Sequence, residues 1–157
     1  GARRLFVTDV SEYRLAMARR IVPQATAMNP AREDVRAAVS EATSGRGLDV
    51  VVELSGSAAG TAQAFDLLRK GGRVSLVGLP SQPVTLEMTS AIIYREAVVY
   101  GSTGRVMWDT WYRVDDLLRS GRFDPLPVIT HRFPLAEYEQ ALQLTLSGQA
   151  GKVILYP

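Results

Sequence analysis

The 157-residue sequence contains no cysteine and one histidine, His131. Without cysteine there is no disulfide framework and no thiolate metal site. One histidine cannot build a zinc site with other histidines. Charge of one sign is also scarce. Eighteen basic residues against 16 acidic ones leave a net charge of +2, and no Lys/Arg run is long enough to form a nucleic-acid patch. No segment approaches the ~18 apolar residues of a membrane span, and the first residues do not have the pattern of a signal peptide. A soluble, cytoplasmic protein with no nucleic-acid or membrane partner is the expectation. Serine chemistry lacks its companions too, since Ser40, Ser55 and Ser57 have no His/Asp partners in an activating pattern. His131, beside Arg132, reads as a structural hydrogen-bonding residue.

What is present is an ordinary globular composition, 46% hydrophobic and 22% charged. The length suits one domain with an appendage. Short β-branched runs alternate with helical patterns. Leu5-Phe6-Val7 is read as a strand ending at Thr8-Asp9, and Ser11 caps a helix through Leu15, Ala18 and Ile21, stopped by Pro23. A strand is expected at 26–29, then a helix from Arg32 to Thr43 with Val35, Ala38, Val39 and Ala42 on one face. Asp49 to Glu53 is the next strand. It runs through Ser55 and Gly56 into a helix expected from Thr61 to Lys70, with Gly71-Gly72 as its C-terminal stop. Strands follow at 73–78 and 97–100, with one or two helical turns at 89–95 between them. A helix carrying Met107, Trp111, Val114 and Leu118 is stopped by Gly121. Pro125 and Pro127 mark a boundary, and the remainder reads as strand 128–133, helix 136–146 and strand 153–156. Strands alternating with helices point to a parallel α/β sheet.

Asp9 is the most informative residue. An acid at the end of an apolar strand in such a chain can accept both hydroxyls of an adenosine ribose, and it disfavours a 2′-phosphate. The alternative is that Asp9 caps the next helix. Arg14, one turn on, flanks either an adenine or solvent. A glycine fingerprint belongs about 20 residues before such an acid, and only eight residues precede Asp9. Gly56-Ser57-Ala58-Ala59-Gly60 lacks the G-x-G start, so a tight strand-to-helix turn is its simpler reading. Ligands of open α/β sheets bind beyond the carboxyl ends of the strands. Val77-Gly78-Leu79 and Gly101-Ser102-Thr103-Gly104-Arg105 both lie at such ends. Glu53 lacks the companion lysine of a phosphoacceptor domain.

Together, Asp9 with Arg14, Val51 to Gly56, Gly72 to Gly78 and Ser147 to Val153 follow in an order that resembles the C-terminal half of a medium-chain, zinc-type dehydrogenase. Thr103 to Tyr112, followed by Ile129 to Phe133, looks most like the branch of that family that oxidises threonine. The resemblance implies a Rossmann-type parallel, doubly wound α/β sheet without its first strand and glycine loop. Residues 1–124 would form a partial NAD-binding domain, and 125–157 would return to the catalytic domain. It implies NAD as cofactor, with Asp9 and Arg14 at the adenosine end. Ser55 and Gly56 would line the cofactor path, and Val77, Gly78, Leu79, Ser102 and Thr103 would lie along the nicotinamide end. The substrate would be a small-molecule secondary alcohol. The complete protein would be a homotetramer joined through the strand Ala97 to Tyr100. The family's zinc ligands, proton relay and glycine fingerprint fall upstream of residue 1, so no catalytic or metal-ligating residue is expected here. The alternatives are another polyol or secondary-alcohol dehydrogenase and a non-catalytic nucleotide-binding remnant.

In the strand order 3-2-1-4-5-6, the strands ending at Asp9 and Ser55 share strand 1 as neighbour. Without it, about ten ladder hydrogen bonds between strands of ~5–6 residues go unmade. At ~0.5–1.5 kcal/mol each, that rivals a domain's ~5–15 kcal/mol. The isolated chain is therefore expected to be unstable, to aggregate, or to pair those two strands directly.

Overall fold

The structure is a computed structural model that describes residues 1–157. The chain divides into two compact units, Gly1–Glu33 with Met107–Pro157, and Asp34–Val106.

In the first unit, β1 (Phe6–Thr8) leads into α1 (Glu12–Ile21), and β2 (Thr26–Met28) returns parallel to β1, with Val7 opposite Ala27. Ser11 caps α1 through its side chain, and Leu15 on the inner face is fully buried. Later in the chain come α4 (Asp109–Arg119), β6 (Ile129–Pro134), α5 (Tyr138–Leu146) and β7 (Lys152–Tyr156). β6 and β7 form their own parallel pair. Ala141 and Ala150 are small enough to be enclosed, whereas α4 buries no residue.

The second unit begins with α2 (Val35–Thr43), capped by Asp34, so this helix starts at the first residue of its apolar face, three residues later than the expected Arg32. Its side-chain cap on Ala37 N satisfies a donor that Arg32 has no means to satisfy. β3 (Leu48–Glu53), β4 (Leu68–Leu76) and β5 (Val98–Gly101) form a parallel sheet in that order. α3 (Ala58–Leu67) crosses from β3 to β4. Its Ala64 and Phe65 close over Leu68, Val74 and Ala91, which form the buried cluster.

The glycine pair at 71–72 is not a helix stop. α3 starts at Ala58 and ends at Leu67, and Gly71 and Gly72 lie inside β4. Here the register jumps from Leu48 opposite Leu68 to Val50 opposite Arg73, so β4 carries extra residues in a bulge. Gly71 sits at φ +67°, a left-handed conformation that glycine adopts freely. The bulge is tied down by Arg69, whose Nε donates to Asp49 Oδ1 at 2.6 Å, and by Gly71 N donating to Arg95 O at 2.7 Å.

The observed pairings β1-β2 and β3-β4-β5 are the 3-2 and 4-5-6 runs of the dinucleotide-fold order, with no strand in position 1. Direct pairing of the strands that end at Asp9 and Ser55, one of the outcomes expected above, does not occur. β1 pairs with β2 alone and β3 with β4 alone. No helix is long and apolar enough to cross a membrane.

Leu68→Ala removes a side chain that is 1% exposed, at the centre of the buried cluster. The expected loss is about 2–5 kcal/mol, read as a lower urea midpoint with an unchanged slope. A second expectation concerns acid. Glu87 accepts from Thr89 N at 3.0 Å and Ser90 N at 2.6 Å, opening the helical turn Thr89–Ile93. Hydrogen bonds from Ser90 and then Thr89 hold its carboxyl down from 4.5 to about 2. A depressed carboxylate stabilises the fold above its unfolded value, and that support disappears as the pH falls through about 2. The Glu87 carboxyl carbon should therefore titrate in NMR near pH 2. A midpoint near 4.5 would show the turn to be uncapped.

Candidate functional site

The residues singled out from the sequence fall into two groups, one in each unit. The first is built on the end of β1. Asp9 N donates to Met28 O at 3.3 Å, which continues the β1–β2 ladder by one residue. The Asp9 side chain then turns back on its own loop, Oδ1 accepting from Ser11 N at 2.8 Å. It does not cap α1. Ser11 does that, accepting from Arg14 N at 3.4 Å. The Asp9 carboxylate is thus held by a turn and spared the cap, and its Oδ2 lies 3.7 Å from Arg14 Nη1, an ion pair without a hydrogen bond. The two side chains remain 27% and 48% exposed, respectively, so the pair is open to a ligand.

Two further features hold this loop. Asn29, only 3% exposed, donates from Nδ2 to Val10 O at 3.2 Å and to Glu12 Oε1 at 2.7 Å. Ser11 Oγ donates to Gly148 O at 3.2 Å, bringing the turn after α5 against the loop. A cleft of about 620 Å³ opens there, with Asp9, Val10 and Arg14 on one side and Leu146 to Gln149 on the other. Asn29 was not legible as a site residue. A buried polar group at a strand end has no periodic signature, and Asn-Pro reads locally as a turn.

The second group is built on the ends of β3 and β4. Glu53 is 6% exposed. Its Oε1 accepts from Ser55 N at 2.8 Å, from Ser55 Oγ and from Gly56 N at 3.1 Å, while Oε2 lies 3.2 Å from Gly56 N. Its main-chain oxygen accepts from Val77 N at 2.9 Å and Gly78 N at 3.1 Å. Ser57 caps α3, accepting from Gly60 N at 2.9 Å, and its hydroxyl is 2.9 Å from that of Ser55. The turn therefore belongs to β3 and α3, as the simpler reading of the sequence had it.

Gly56 and Gly78 face each other across this turn. A Cβ on Gly78 would stand 2.1 Å from Gly56 N and 2.7 Å from Glu53 Oε2. Gly56 sits at φ +66°, and its Cβ would stand 2.6 Å from Leu79 O. Both glycines are needed for the backbones to touch. Ser102 N donates to Leu76 O at 2.9 Å and so stands at the end of β5, beside the exit of β4. Ser102 and Thr103 are exposed, as is Leu79. The structure thus brings Ser55, Gly56, Val77, Gly78 and Leu79 together, with Ser102 at the neighbouring strand end. Asp9 and Arg14 meet in the other unit.

Each group, taken by itself, has the chemistry of a part of a dinucleotide site. A partly exposed carboxylate beside a guanidinium suits a ribose and its base, and a side-chain-free strand end suits a flat ring. No group of three or more His, Cys, Asp and Glu side chains is placed to hold a metal ion. These residues therefore do not fit a zinc ion.

Comparison with known proteins follows the same lines. A family model described as zinc-binding dehydrogenase matches residues 1–120. The chain is 40% identical over 158 residues to an L-threonine 3-dehydrogenase of Caldanaerobacter subterraneus. It is 41% identical over 157 residues to one of Bacillus subtilis. Both comparisons cover 100% of this chain and 45% of the relative, so the chain spans less than half the length of these proteins. Among solved structures, an alcohol dehydrogenase of Thermotoga maritima superposes with a TM-score of 0.84 at 32% identity, covering 100% of this chain and 44% of that one. The 2R,3R-butanediol dehydrogenase of Bacillus subtilis gives 0.86 at 23% identity, with 100% and 44% covered, a likeness of fold.

Gly78→Ala tests the closeness of the two turns. The new methyl group meets backbone and a buried carboxylate, with no flexible side chain to give way. The expected cost is about 1–3 kcal/mol, read from urea unfolding. An alanine variant as stable as the parent would show that the turns stand further apart.

Proposed function

The chain belongs to the family of zinc-binding dehydrogenases, and from that premise we propose that it is the cofactor-binding portion of an NAD-dependent secondary-alcohol dehydrogenase. In the complete protein the reaction is the oxidation of L-threonine to 2-amino-3-oxobutanoate. The observation that carries the cofactor reading is the Asp9 carboxylate, relieved of helix capping by Ser11 and left partly exposed beside Arg14. Asp9 and Arg14 take the adenosine end of NAD. A carboxylate at that position repels the 2′-phosphate of NADP. Val77, Gly78, Leu79, Ser102 and Thr103 take the nicotinamide end, with Ser55 and Gly56 along the path. The threonine reading is supported by the names of the relatives, which match over the whole chain.

Residues 1–124 make up the cofactor portion and 125–157 the return to the catalytic domain. The family match over residues 1–120 supports that division. The zinc implied by the family, and the groups that move the substrate's proton, belong to parts of the protein outside these residues, and this chain alone is inactive. The outer edge of β5, with Val98, Val99 and Tyr100 exposed, supports pairing of cofactor domains between copies in a cytoplasmic tetramer.

The test uses the full-length protein. L-Threonine with NAD should yield NADH, and Asp9→Ala should raise the KM for NAD about 10–100-fold, the equivalent of one lost charge-assisted hydrogen bond. No turnover of threonine would move the substrate to another secondary alcohol or polyol. An unaltered NAD requirement would remove Asp9 from the site.

A further inference from the structure

Glu53 is the one acidic or basic side chain that the fold buries. A buried carboxylate is costly unless hydrogen bonds compensate for its lost hydration. Here no ion pair does so. The compensating groups are neutral donors, namely the amides of Ser55 and Gly56 and the hydroxyl of Ser55. These donors belong to the turn at the end of β3. The main-chain oxygen of the same residue holds Val77 N and Gly78 N at the exit of β4. One residue therefore fixes two strand ends, one through its side chain and one through its backbone. The fit leaves no slack, because Gly78 carries only a hydrogen where it faces Glu53 Oε2 and Gly56 N.

A hydrophobic or amide residue would close an ordinary strand-to-helix turn without the cost of burying a charge. Ser57 already caps α3, so the helix does not need the carboxylate. What the carboxylate adds is direction. It draws the Ser55 and Gly56 amides inward, toward its own oxygens, and presses the turn onto the glycine of the next strand. We propose that Glu53 is a positioning residue of the cofactor site, one that touches no part of the dinucleotide. It sets the spacing between the Ser55-Gly56 turn and the Val77-Gly78-Leu79 strand end on which the cofactor lies. The proposal rests on the NAD reading above.

Glu53→Gln tests it with little change of shape. The amide oxygen can keep the three donors at Oε1, but the amide nitrogen then faces Gly56 N, donor against donor. Glu53→Ala removes every acceptor. In the full-length protein, NADH affinity is measured by fluorescence titration below the unfolding range, alongside the thermal midpoint. The expected result is a Kd for NADH raised about tenfold in E53Q and further in E53A. The KM for NAD rises with it, and the KM for the alcohol does not move. Variants that melt earlier yet bind NADH as tightly as the parent overturn the proposal and leave Glu53 a turn anchor only. If neither variant is recovered folded, hydrogen exchange on the unaltered protein decides. Added protection of the Ser55 and Gly56 amides on NADH binding supports the proposal, and no change overturns it. Parent protein that does not bind NADH overturns the cofactor reading and this proposal together. Normal binding in both parent and variants overturns this proposal alone.

Discussion

The parallel register of β3 against β4 decides where the residues at the ends of those two strands lie. Val52 opposite Ser75 and Glu53 opposite Leu76 bring the two strand ends level. Only with the ends level can the main-chain oxygen of Glu53 reach both Val77 N and Gly78 N. A slip of one residue would turn the Glu53 side chain to the other face of the sheet and carry its main-chain oxygen away from Val77 N and Gly78 N. The register is secured at the far end by the bulge at Gly71 and Gly72, which absorbs the extra residues that β4 carries, and by Arg69 on Asp49. The buried cluster of Phe65, Leu68 and Val74 then holds α3 across both strands.

The group around Asp9 uses a different device. The loop at Asp9 is held by one turn bond, Ser11 N on Asp9, and by two bonds from distant parts of the sequence, Asn29 Nδ2 on Val10 O and Ser11 Oγ on Gly148 O, so it is shaped by side chains more than by a ladder. Division of labour is visible among neighbours. Ser11 satisfies the helix, Asn29 satisfies the loop carbonyl, and the carboxylate of Asp9 keeps one oxygen free of any hydrogen bond. With the cap supplied by Ser11, the acid two residues before it is left outside the helix.

Much of the element order was legible because its signals are local. Val50-Val51-Val52 is β-branched and short, Ser11 stands one residue before its helix, and Pro23 ends that helix. The glycine pair at 71–72 was misread because a helix stop and a strand bulge share one requirement, a residue tolerant of positive φ. Nothing in residues 61–70 distinguishes a helix that ends at Leu67 from one that ends at Lys70, since Leu68 is apolar and buried either way. The start of α2 shifted because Asp34 caps better than the residues before it. Among the candidate residues, Asp9, Gly56 and Gly78 stand out by their places at strand ends. Glu53 was weighed only as a phosphoacceptor and Asn29 not at all, because burial of a polar side chain leaves no periodic trace.

By itself the sequence determined the alternation of strand and helix, the family resemblance, and which residues stand at the strand ends. These follow from residue type and spacing, which act over a few positions. Only the tertiary structure decided that β1 and β3 belong to separate sheets, that Gly71 opens a bulge, and that Glu53 turns inward to hold two strand ends. Those outcomes depend on which distant groups compete for the same hydrogen bonds and the same volume, and a linear pattern does not carry that competition.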